Sequence, residues 1–139
     1  MAVILIVDDD PTVRLIATEL LRHGDHTVVE AGDGDEALRL VAAMPVDLVV
    51  LDMLMPNKDG LETIGELRRS RPRIKILAIS SGGRMDPGQL LRTAMVFGAD
   101  DSLLKPLRLE AFSRAVATLL AMPAAGTDPE PDQREQSFS

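Results

Sequence analysis

Acids, a hydroxyl and a lysine recur at the ends of apolar runs in this chain. Asp8 and Asp9 follow Val3-Ile4-Leu5-Ile6-Val7, Asp52 follows Val49-Val50-Leu51, Ser80 closes Ile76-Leu77-Ala78-Ile79, and Lys105 precedes Pro106. If these ends meet, carboxylates a few Å apart repel by about 4 kcal/mol per pair at an effective dielectric near 20. Such a cluster calls for a cation. The donors are hard oxygens, with no cysteine and no imidazole suitably placed, so Mg²⁺ fits best and Mn²⁺ is the alternative. A metal ion with a lysine beside it makes a place for transferring phosphoryl oxygens. One carboxylate can then act as nucleophile and form an acyl phosphate, which a hydroxyl can hydrogen-bond.

These groups can cooperate only if the elements carrying them are neighbours. Apolar runs predict strands at residues 3–7, 27–30, 46–51, 74–79 and 102–104. Helical spacing predicts helices at 12–22, from Asp33-Gly34-Asp35 through Ala42, at 61–69, at 87–97 and at 108–122. Strict alternation of strand and helix implies right-handed βαβ units, and hence an α/β fold with a parallel sheet and helices on both faces. Ligands of such sheets sit beyond the carboxyl ends of the strands. The residues named above collect on that rim.

Length and composition narrow the classes. A chain of 139 residues predicts one domain. Without cysteine there is no disulfide framework and no thiolate nucleophile. No apolar run reaches membrane-spanning length, and the start lacks the basic flank of a signal peptide, so the expectation is a soluble cytoplasmic protein. Net charge is −7, with no Trp or Tyr, which argues against nucleic-acid binding. Residues 1–122 hold 18 acids and 14 bases (−4), and residues 123–139 hold 4 acids and 1 base (−3). The latter stretch has three prolines and few apolar residues, and is expected to be a disordered acidic tail. The basic cluster Arg68, Arg69, Arg71, Arg73 and Lys75 reads as a solvated helix end. Asp10, before Pro11, reads as a helix cap. Asp100 and Asp101 read as solvated loop acids, Met53 and Met55 as packing or rim residues, and His23 and His26 as surface residues at the end of the first helix.

The strings Leu5-Ile-Val-Asp-Asp-Asp-Pro11, Leu51-Asp-Met-Leu-Met-Pro56 with Asp59-Gly60, and Gly98-Ala-Asp-Asp-Ser-Leu-Leu-Lys-Pro106 resemble the receiver domain of two-component response regulators. The resemblance spans residues 1–122. It implies a flavodoxin-like, doubly wound sheet in the order 2-1-3-4-5 with five flanking helices. It casts Asp52 as the phospho-accepting residue and Asp9 as a direct Mg²⁺ ligand, with Asp8 acting directly or through water. The Leu54 carbonyl becomes the main-chain ligand, Lys105 the holder of a phosphoryl oxygen, and Ser80 the hydroxyl that swings toward phosphate. The Lys105–Pro106 peptide is expected to be cis. The implied donor is a histidine kinase or histidine phosphotransfer protein. Output is expected through protein contact by a stand-alone receiver, around Met95, Ser102, Leu107 and Phe112, with no nucleic-acid or membrane partner. Such a chain promotes its own phosphorylation without being a turnover enzyme.

The sequence departs from the family pattern at three places. Ser102 stands where an aromatic switch residue is common, and Leu107 where Phe is common. Ser80-Ser81-Gly82-Gly83 makes an unusually permissive loop, so that loop and the helix over 87–97 are expected to be the mobile element. Leu54 and Gly82 offer no group to orient attacking water, so self-dephosphorylation is expected to be slow. Two other classes fit parts of the pattern. One is an unphosphorylated pseudo-receiver. The other is a haloacid-dehalogenase-type phosphatase, resembled by Asp8-Asp9-Asp10-Pro11-Thr12-Val13, with Asp8 as nucleophile and Asp10 as acid/base; it leaves Asp52 without a role.

Overall fold

The structure, a computed structural model, describes residues 2–55, 58–81 and 86–123. Strands and helices alternate: β1 (Ala2–Val7), α1 (Pro11–Leu21), β2 (His26–Ala31), α2 (Gly34–Ala43), β3 (Leu48–Asp52), α3 (Gly60–Ser70), β4 (Lys75–Ser80), α4 (Pro87–Phe97), β5 (Asp101–Leu104) and α5 (Leu109–Ala121). All four strand pairings are parallel, and the order is β2-β1-β3-β4-β5. This is the expected α/β architecture, including its strand order.

Period-2 alternation sorts the strand side chains onto two faces. Leu5, Val7, Val49, Leu51, Ile76 and Ala78 share one core with Ala37 and Val41 of α2, Ile64 and Leu67 of α3, and Leu90 and Ala94 of α4. Ile4, Ile6, Leu48, Val50, Leu77 and Ile79 share the other with Ala17 and Leu21 of α1 and Phe112, Val116 and Leu119 of α5. β3 and β4 are buried along their whole length. That explains why they read as unbroken apolar runs.

Four helices start on an aspartate. The carboxylates of Asp10, Asp33, Asp59 and Asp86 accept the N–H groups of Thr12, Glu36, Glu62 and Gln89 at 2.8–3.2 Å. Each satisfies one of the first-turn donors, a contribution of about 1 kcal/mol. Asp10 is thus the cap expected of it, with Pro11 opening α1.

Several expectations need correction. β3 does not begin at Val46: pairing starts at Leu48 opposite Ile4 and runs through Asp52 opposite Ile79. Val46 is buried but lies ahead of the ladder, because Asp47 exchanges hydrogen bonds with Val3, donating its N–H to the Val3 carbonyl at 2.8 Å and accepting the Val3 N–H through Oδ2 at 2.8 Å. β2 is longer than 27–30 and starts at His26. His26 is therefore a half-buried strand residue, and its Nδ1 is buried without a hydrogen bond. Phe112 is fully buried under the sheet and is core, not a readout surface.

The basic cluster is not simply a solvated helix end. Arg68 donates to the carbonyls of Gly98 (2.9 Å), Pro72 (3.2 Å) and Ile74, and pairs with Asp100 Oδ2 at 2.6 Å. Asp100, expected to be solvated, also takes the Ile76 N–H at 2.8 Å. One guanidinium and one carboxylate thus join the end of α3, the end of α4 and the start of β4. Arg71 donates to the Val41 carbonyl at 2.6 Å, and Lys75 is buried. Asp101 accepts the adjacent Ser102 N–H at 2.8 Å. Gly98 has φ +126°, which ends α4 and brings its carbonyl to Arg68. Met53 and Met55 are packed into the core, as expected.

Candidate functional site

The carboxyl ends of β1, β3, β4 and β5 form one rim. Asp8 follows β1, its N–H donating to the Ala31 carbonyl at 3.2 Å. Its carbonyl accepts Arg14 Nη1 at 2.7 Å, and Arg14 Nε pairs with Glu30 at 3.0 Å. Arg14 thus braces the backbone that carries Asp8. Helical spacing places Arg14 one turn past Asp10, but nothing local marks it as a partner of β1.

Asp52 ends β3 and is 4 % exposed, Asp8 is 0 % exposed, and Asp9 is exposed. One carboxylate oxygen from each of the three lies within 4.8 Å of the others. Lys105 sits just past β5, its backbone N–H donating to the Ser80 carbonyl at 2.9 Å, and the Lys105–Pro106 peptide is cis. Its Nζ lies 2.7 Å from Asp8 Oδ2 and 3.2 Å from Asp52 Oδ1. Ser80 is fully buried at the end of β4. Every side chain expected at the site is therefore on this rim. Asp10 is the exception among the neighbouring acids, since its carboxylate is engaged at the head of α1. That removes the acid/base of the phosphatase reading from the cluster.

The electrostatics follow from burial. Burial pushes the Asp52 carboxyl up, the charge of Asp8 pushes it further, and Lys105 and the Leu54 backbone N–H partly oppose them. The result is a pKa raised to about 6. For Lys105, burial works downward, but pairing with Asp8 and Asp52 outweighs it and holds the ammonium above its ordinary value. Three carboxylates against one ammonium leave a formal excess of two negative charges. Asp8 Oδ1 accepts the Asp10 N–H at 2.9 Å, whereas the buried Oδ2 has no well-aligned hydrogen bond. The donor set and its charge fit a hard divalent cation.

The floor of the site is shaped by close packing. Gly60 N–H donates to the Met53 carbonyl at 3.2 Å, and a Cβ on Gly60 would stand 2.6 Å from the Met53 Cα. Only glycine permits that approach beside Asp52. Lys58 turns away to Glu66 (2.5 Å) and Asp35 (3.5 Å), tying the loop after β3 to α3 and α2. Pro56 and Gly82, expected to shape the loops around the site, lie outside the described residues.

Comparison with known proteins agrees with this geometry. The family model described as the response regulator receiver domain matches residues 4–117. The chain belongs to that family. The receiver is 35 % identical over 136 residues to the response regulator MprA of Mycobacterium ulcerans, covering 98 % of this chain and 57 % of that protein. It is 30 % identical over 115 residues to the probable C4-dicarboxylate response regulator DctR of Bacillus subtilis, covering 81 % of this chain and 50 % of that one. The receiver chain thus spans about half the length of the curated relatives it matches. Among solved structures, the receiver domain of NtrX from Brucella abortus superposes with a TM-score of 0.78 at 27 % identity, covering 84 % of this chain and 97 % of that one. The response regulator TrrA from Thermotoga maritima, solved in complex with Mg(2+)-BeF, superposes with a TM-score of 0.75 at 30 % identity, covering 86 % of this chain and 99 % of that one. Phosphorylation-based signalling is the role of the family. No helix among the described residues is long and apolar enough to cross a membrane.

Proposed function

We propose that this receiver accepts a phosphoryl group on Asp52 from a phosphohistidine, carried by a histidine kinase or a histidine phosphotransfer protein in the cytoplasm. The observation that supports this most directly is the placement of Asp52 within reach of Asp8 and Asp9 on one side and Lys105 on the other. Asp8, Asp9, Asp52 and the Leu54 carbonyl would hold Mg²⁺. Bound there, the ion supplies positive charge that keeps the carboxylates ionised and offsets charge on the phosphoryl oxygens. A carboxylate oxygen of Asp52 attacks phosphorus in line with the leaving imidazole. The new O–P bond forms as the donor's N–P bond breaks, and the electron pair of that bond returns to the imidazole nitrogen, which takes a proton. Lys105 attracts a phosphoryl oxygen through its ammonium, and the Ser80 hydroxyl hydrogen-bonds the attached group. The protein promotes its own modification and releases no product of its own. Residues 1–122 are the receiver unit in this reading, and output runs through contact with another protein.

Incubation with acetyl phosphate and Mg²⁺, followed by intact mass, tests the assignment. One added phosphoryl group is expected on the native chain and none on Asp52→Asn. Modification mapped to Asp8 would instead favour the phosphatase reading, and no modification at all would favour the pseudo-receiver. Leu54 projects an apolar side chain, 42 % exposed, beside the site. It offers no acid or amide to attacking water, so the acyl phosphate is expected to outlast minutes without a partner. A lifetime of a few seconds would contradict that.

A further inference from the structure

A second polar site lies at the other end of the sheet. A pocket of about 540 Å³ opens where the strands begin, lined by Ala2, Asp25, His26, Asp47, Arg73 and Lys75. Lys75 starts β4 and is only 5 % exposed. Its Nζ donates to one acceptor among the described residues, the carbonyl of Pro123 just beyond α5. An ammonium has three hydrogens to place and a full charge to balance. A buried charge facing a neutral carbonyl alone is costly.

Two acids, Asp25 and Asp47, share the pocket with Lys75 but form no ion pair with it. Asp47 spends Oδ2 on the Val3 N–H at 2.8 Å. His26, at the start of β2, also lines the pocket. Arg73, exposed beside it, adds a second positive charge to the lining. Nothing in the phosphoryl chemistry uses any of these groups.

We propose that this pocket binds a carboxylate, with Lys75 as its buried contact and Arg73 beside it. Two sources share that chemistry. The stretch after Pro123 carries Asp128, Glu130, Asp132 and Glu135, so the chain can supply the group itself. A free carboxylate is the other source.

The test uses the full chain and a second full-length chain with Asp128→Asn, Glu130→Gln, Asp132→Asn and Glu135→Gln. Both are titrated with sodium acetate at constant ionic strength, and the backbone amides of Ala2, His26 and Lys75 are followed by NMR. Saturable shifts are expected in the neutralised chain. If the native chain responds equally, free carboxylates enter the site; if it does not respond, its own acids fill it. Loss of a charge-assisted hydrogen bond corresponds to about tenfold or more in affinity. That weakening is expected in Lys75→Met, and in the same direction in the surface change Arg73→Gln, which keeps a fold control available. Absence of a saturable shift in both chains overturns the proposal, as does an unchanged affinity in both substitutions.

Discussion

Asp52 shows how one side chain acquires its character from its surroundings. A carboxyl that would ionise near pH 4 in water titrates at about 6 when buried beside Asp8. Its pKa in the folded state lies above the unfolded value, so the native state binds a proton more tightly. Between about pH 4 and pH 6 stability falls as pH rises, and above pH 6 the cost of ionising Asp52 is fully present. Urea unfolding in EDTA should therefore show the native chain losing stability relative to Asp52→Asn from pH 4 to pH 7. The loss should be on the order of 2–3 kcal/mol, with a pH-independent difference speaking against it. Added Mg²⁺ at pH 7 should restore much of that loss in the native chain, while Asp8→Asn should respond less. The strand-end position of Asp52 was legible in the sequence, whereas its raised pKa depends on burial in the folded chain and then on Asp8, which lies 44 positions earlier.

At the scale of elements, the joints carry more than the elements themselves. The alternation of runs and helical patterns sufficed to order all five strands and five helices. Their ends shifted by one or two residues where a loop contact ended a ladder, as the Asp47–Val3 exchange does before β3. Gly60 is one such joint. Gly60→Ala would press a methyl group into the Met53 backbone, an overpacking cost of about 1–3 kcal/mol. Its urea midpoint should fall, and the Asp52 and Met53 amide resonances should move; unchanged resonances would show that the floor yields without disturbing the site. Arg68 is another. Arg68→Ala leaves Asp100 buried without its cation, which should cost about 3–5 kcal/mol in equilibrium unfolding. Asp100→Asn should cost less, because its remaining oxygen can still accept the Ile76 N–H. Equal effects from the two would contradict that asymmetry. Run-by-run reading took these residues for solvated charges, since an Arg-rich helix end looks the same whether or not an acid 32 positions later folds onto it.

Over the whole molecule, two cores sandwich one sheet and the cluster of Asp8, Asp9, Asp52 and Lys105 sits at its carboxyl rim. The face of α4, β5 and the start of α5 leaves Val96, Phe97, Leu104 and Leu109 at least half exposed, whereas Phe112 is fully buried. Phe112→Ala should therefore cost about 3–5 kcal/mol, and Phe97→Ser should stay within about 0.5 kcal/mol of the native chain. Comparable losses in thermal unfolding would mean that the α4 surface is packed in solution. Ser102 is half-buried on this face. It cannot bury the area of an aromatic ring there.

Local physics was readable along the chain. Aspartates four positions or fewer from the N–H groups they cap, alternating apolar residues, and acids placed just past buried strands are all short-range signals. What required the folded chain was every relation set by strand order: Lys105 bridging Asp8 and Asp52, Arg68 gripping Asp100, and Lys75 buried against Pro123. Parallel strands joined by helical crossovers place residues tens of positions apart side by side. Burial and charge then act across that juxtaposition, where neither composition nor periodicity has any reach.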